Sequence, residues 1–108
     1  MGSFENETLQ NLYDSLTSLG STDLESAFMV GALIEEVDIN DLNLAIESLD
    51  NEGVIVVYQN LNKGSRNHLR SFYMKITSTG IDYKPQILEE NYFNAIVNSD
   101  METGAVGN

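Results

Sequence analysis

The chain has 108 residues, 17 acidic against 5 basic side chains, a net charge of −12, no cysteine and one histidine. This length allows one small domain with a modest core, and the lack of cysteine excludes disulfides and thiolate-based zinc, iron–sulfur or redox chemistry. So acidic a surface repels phosphate, which excludes duplex nucleic acid and anionic membrane as partners.

At 42% hydrophobic residues the chain can bury a core. No apolar run approaches the ~20 residues of a membrane span. The opening MGSFENETLQ lacks the basic and then apolar regions of a signal peptide, so a soluble, cytoplasmic domain is expected. The charges are uneven: Lys63, Arg66, Arg70, Lys75 and Lys84 all fall between residues 63 and 84, whereas residues 1–62 carry twelve acids and no base. Either the acidic stretch packs beside the basic one, or the two are solvated faces with a chance imbalance.

Leu9, Leu12, Tyr13, Leu16 and Leu19 recur at helical spacing before Gly20, predicting a short amphipathic helix over 6–19. Thr22 to Glu25 has the spacing of a capping box and opens the next helix. A broad stripe of Leu24, Ala27, Phe28, Gly31, Ile34, Glu35, Asp38, Leu42 and Ala45 predicts a long helix over 23–49. The β-branched run Val54–Val57 resembles a buried strand. Val57, Leu61, His68, Leu69, Phe72 and Ile76 continue a helical stripe as far as Gly80, however, so residues 53–79 are read as a second long helix. Gly64 inside it costs ~1 kcal/mol against alanine and is expected to admit a close neighbour. Pro85 breaks the chain, residues 87–98 form a short helix or docked arm, and 100–108 read as a frayed, flexible tail beyond a domain over 1–99. The expected architecture is all-α, with two long antiparallel helices and shorter flanking ones.

The common catalytic and phosphate-binding motifs are absent. Asp38 to Leu42 fails as a calcium loop, because Leu42 stands where an oxygen ligand is required. The sequon at Asn6 is a chance match in a chain with no secretion signal.

Two polar side chains sit in apolar stripes. Glu35 lies midway between Phe28 and Leu42, with Asp38 one turn on, and His68 lies between Leu61 and Phe72 with Ser65 one turn before it. A carboxylate on a buried face must be paired, protonated or metal-bound. In an antiparallel pair turning near Asn51, Glu35 and His68 stand at almost the same height, since each residue rises ~1.5 Å. This placement favours a carboxylate–imidazole site within the bundle. The alternatives are a satisfied core histidine and an internal salt bridge from Glu35 to Arg66 or Arg70. Glu36, next along, is expected to be solvated.

The segments GALIEEVDI, the Asp-Asn turn, GSRNHLR and Tyr83-Lys84-Pro85-Gln86 closely resemble a ferritin-like family of bacteria and archaea with a domain of unknown function. The resemblance runs from about Leu9 to Val97. It implies a four-helix bundle with a carboxylate-bridged di-metal centre, in which one helix gives a Glu and the next a Glu-x-x-His, twice over. On this chain Glu35 would be the single carboxylate and His68 the imidazole, with Asp38 and Glu36 in reserve. Fe or Mn is the implied metal, Zn being chemically compatible, and O₂ or peroxide chemistry would follow if the centre is active.

Two departures stand out. Ser65 occupies the Glu position of Glu-x-x-His, and the chain resembles only the C-terminal half of the family domain. Half a bundle leaves an apolar stripe to cover, and residues 54–57 are apolar where family members carry charge near Ile55 and Val56. Self-association is therefore expected. The competing expectation is a metal-free acidic helical scaffold that binds a basic protein partner.

Overall fold

A computed structural model describes Asp14 and residues 24–104. Apart from Asp14, the helix expected over 6–19, the cap at Thr22 and the last four residues lie outside the described residues. Three helices carry the described fold: α1 (Leu24–Glu47), α2 (Glu52–Ser78) and α3 (Glu90–Val97). No strand occurs among the described residues. Val54–Val57 is helical, because Asn51 just before it caps the start of the helix that contains it. Asn51 is extended (φ −80°, ψ 115°), and its side chain accepts from the Val54 N–H at 3.0 Å, a cap that β-branched residues cannot override by propensity alone. At the other end of α2, Gly80 takes φ +86°, the left-handed exit that glycine adopts without strain.

The short link between Glu47 and Glu52 makes α1 and α2 antiparallel neighbours. Contacts step outward from that turn: Asn43 with Asn62 (2.7 Å), Glu35 with His68 (3.5 Å), Gly31 against Phe72, and Lys75 over the Phe28 ring (5.5 Å). The close approach falls at Gly31, where a Cβ would lie 2.6 Å from the Phe72 ring; at Gly64, the glycine expected to admit a neighbour, nothing lies within 4 Å.

The core forms where the chain folds back across the pair. Ala32 and Ile39 of α1, Leu69 and Ile76 of α2, Tyr83 and Leu88 of the connection, and Phe93 and Ile96 of α3 make one buried cluster. Phe93 packs edge-on to Tyr73 at 5.4 Å and tilted against Tyr83 at 5.8 Å. This core uses a different face of α1 from the stripe predicted in sequence. Leu24 of that stripe is exposed, as are Val57 and Leu61 of α2, at 55% and 56%. No helix among the described residues is long and apolar enough to cross a membrane.

Candidate functional site

The stripe residues line an open cleft of about 690 Å³ between α1 and α2. From α1 come Glu35, Asp38, Asp41, Leu42 and Ala45; from α2 come Tyr58, Leu61, Gly64, Ser65 and His68. Spacings of three and four residues put each set on one helix face. The antiparallel register then sets His68 beside Glu35, with Nδ1 3.5 Å from Oε2. The height argument from sequence thus places these two side chains correctly.

Their surroundings differ. The Glu35 side chain is 13% exposed, whereas that of His68 is 67% exposed and not the core histidine its stripe suggested. Oε1 of Glu35 is buried and has no hydrogen-bond partner among the described residues. Burial is the main force raising the pKa of Glu35, the nearby Asp38 charge adds to it, and His68 and Ser65 oppose it. Asp38 is raised likewise, first by burial and then by Asp41. The cleft therefore holds two carboxyl groups whose pKa values are raised, chiefly by burial. Even so, no three His, Asp or Glu side chains among the described residues stand together as a ligand set for a metal ion.

Glu36 corrects the sequence reading. It is fully buried rather than solvated, and it turns away from the cleft into the connection between α2 and α3. Its Oε2 accepts from the Tyr83 hydroxyl, while Oε1 accepts from the backbone N–H groups of Gln86, Ile87 and Leu88 at 3.0, 2.9 and 3.0 Å. Both oxygens are occupied, so it has no capacity left as a metal ligand. Burial, then the charge and hydrogen bond of Glu36, keep the Tyr83 phenol protonated far above its ordinary range. Adjacent residues of the GALIEEVDI segment thus serve different faces of α1, Glu35 the cleft and Glu36 the fold. The Tyr-x-Pro-Gln segment is the partner of the second.

The alternative internal salt bridge from Glu35 to Arg66 or Arg70 does not form. Both arginines hold Glu102, 36 and 32 residues along the chain. That separation is why periodicity did not find it.

A family model for an uncharacterized protein domain, DUF2202, matches residues 1–100. The uncharacterized protein MJ0754 of Methanocaldococcus jannaschii is 39% identical over 104 residues, which cover 96% of this chain and 56% of that protein. A crystal structure of hypothetical protein MJ0754 from Methanococcus jannaschii is similar with a TM-score of 0.77, covering 93% of this chain and 57% of that one. The chain thus spans little more than half the length of this relative.

Proposed function

The chain belongs to the family defined by the uncharacterized domain DUF2202, and we propose that its cleft is half of a ferritin-like carboxylate–imidazole metal site. Glu35 and His68 are the principal ligands and Asp38 the second carboxylate. The observation that carries this reading is the buried, partnerless Oε1 of Glu35, beside a second carboxylate and an imidazole. An anionic oxygen so placed is costly unless a proton or a cation neutralises it. Carboxylate and imidazole donors suit Fe and Mn, and Zn also. Bound there, the metal would supply Lewis-acid or redox chemistry; the protein's part is to hold it and to keep the wall formed by Leu42, Ala45 and Leu61 apolar.

The described residues of one chain supply too few donors. A second copy, related by a two-fold axis and meeting the first along Val57 and Leu61, brings a second Glu35, Asp38 and His68 and completes a four-helix bundle. The cation offsets the repulsion between the two acidic clefts.

The test is elemental analysis and native mass spectrometry on protein purified without chelator, followed by Mn(II), Fe(II) and Zn(II) titration. A dimer with about two ions is expected. Glu35→Gln and His68→Leu should each weaken metal binding about tenfold or more, by analogy with the loss seen when supporting groups of metal sites are removed. A second reading, a metal-free acidic scaffold with a basic partner, draws on Ser65 at the position of the missing carboxylate. It prevails if His68→Leu is neutral or stabilising and saturating cation leaves the protein metal-free.

A further inference from the structure

Glu102 is held in an unusual way for a residue of an irregular tail. Arg66 donates to both of its carboxylate oxygens, from Nε at 2.6 Å and Nη2 at 2.7 Å, and Arg70 Nη1 adds a third bond at 2.9 Å. Its main chain is read as well. Asn67 donates through Nδ2 to the Glu102 carbonyl at 3.0 Å and accepts from the Glu102 N–H at 2.9 Å. Ser99, Asp100, Met101, Thr103 and Gly104 around it are exposed, so the tail is held through this one residue.

Arg70 is held independently of this occupant. Arg70 is 7% exposed, and it is fixed by bonds to the Ile96 carbonyl of α3 at 2.9 Å and to Asn67 Oδ1 at 2.8 Å. Those partners belong to the helices, so the guanidinium stays aimed when Glu102 leaves. A bidentate arginine reads the carboxylate, and a side-chain amide reads the adjacent main chain whatever the sequence. These two devices together are how proteins recognise acidic residues in extended peptides.

We propose that Arg66, Asn67 and Arg70 form a recognition site for an acidic residue within an extended segment of a partner protein, and that Glu102 is its resident, self-supplied occupant. The tail joins α3 only a few residues upstream of Glu102, so it competes at an effective concentration of order millimolar and keeps the site closed against weak ligands. An incoming segment must present a carboxylate with a free main chain on either side. In a protein of net charge −12, this arginine pair is the place where an acidic partner is attracted rather than repelled. The proposal is independent of the metal reading.

The probe is a fluorescent synthetic peptide of residues 99–104 (Ser-Asp-Met-Glu-Thr-Gly), added to the 108-residue chain and followed by anisotropy at low salt. The E102Q chain, with its own occupant weakened, should bind this peptide about tenfold or more tightly than the native chain. Binding should be lost in R66A/E102Q and N67A/E102Q and with the Glu→Gln form of the peptide, and should weaken as salt rises. Equal affinity of the native and E102Q chains, or of the two peptides, overturns the proposal. Nuclear magnetic resonance on the unmodified chain covers the case in which the variants misfold. Millimolar peptide should move the Glu102 amide resonance to its disordered position, and an amide that stays put under saturating peptide also overturns the proposal.

Discussion

Glu36 shows what a buried charge does when every lone pair is used. Three consecutive backbone N–H groups and one phenol converge on it, so the carboxylate caps a bend that would otherwise leave its donors buried and unpaired. Tyr83→Phe removes one charge-assisted bond and should lower stability in urea by about 1.5–3 kcal/mol. Glu36→Leu strands three backbone donors as well and should cost more; equal losses would mean that the backbone contacts contribute nothing. Glu102 illustrates the opposite sign of electrostatic shift from Glu35. Hydrogen bonds from Arg66, then those from Arg70, hold its carboxyl at about 2 against an ordinary 4.5. Because the folded pKa is depressed, the unfolded chain takes up the proton first. The clasp's contribution is complete above the ordinary value and disappears as pH falls from about 4.5 toward 2. Protection of the Glu102 amide should fade in that window in the native chain and show no such transition in E102Q.

At the scale of elements, the two helical glycines should respond with opposite signs. A methyl at Gly31 meets three atoms of the Phe72 ring at 2.6–2.9 Å, in the seam between α1 and α2. Gly31→Ala should therefore destabilise by about 1–2 kcal/mol despite the better helix propensity. Combining it with Phe72→Leu should cost less than the two changes added, since both act on one contact. Gly64 has nothing within 4 Å of its would-be Cβ, so Gly64→Ala should stabilise α2 by about 0.5–1 kcal/mol. Thermal melts of Gly31→Ala, Phe72→Leu, their combination and Gly64→Ala check both signs. The helix limits themselves were legible in sequence: residues 23–49 and 53–79 were read where 24–47 and 52–78 occur, because Asn51 and Gly80 are local signals that act through backbone geometry alone.

For the whole molecule, the feature that sets behaviour is the face of the α1/α2 pair that is left exposed among the described residues. Val54, Val57, Leu61 and His68 follow one another on α2 at helical spacing and all are exposed, and the cleft of Glu35 and Asp38 opens beside them. Under the proposed two-fold assembly, sedimentation should show a dimer that divalent cation strengthens. Leu61→Asp should return it to a monomer by setting two further carboxylates into the contact, without loss of helix content. A native chain that stays monomeric with and without cation would remove the second copy from the site.

The all-α class, the order and approximate limits of the long helices, and the meeting of Glu35 with His68 follow from the sequence alone. Period, caps and residue rise are local quantities, and an antiparallel pair with a short turn has only one register. Tertiary structure decided which face became core. Sequence treated the stripe through Leu24, Glu35 and Leu42 as the buried one, but the connection carrying Tyr83 and Leu88, together with Phe93 of α3, packs against Ala32 and Ile39 on another face. Two neighbouring glutamates thereby acquired opposite environments, Glu35 in the cleft and Glu36 in a cage of backbone donors some fifty residues away in sequence. The same holds for Arg66 and Arg70, whose partner could be any of many carboxylates until the tail returned across α2. Pairings at such separation depend on how the chain closes on itself, and no spacing along it records that.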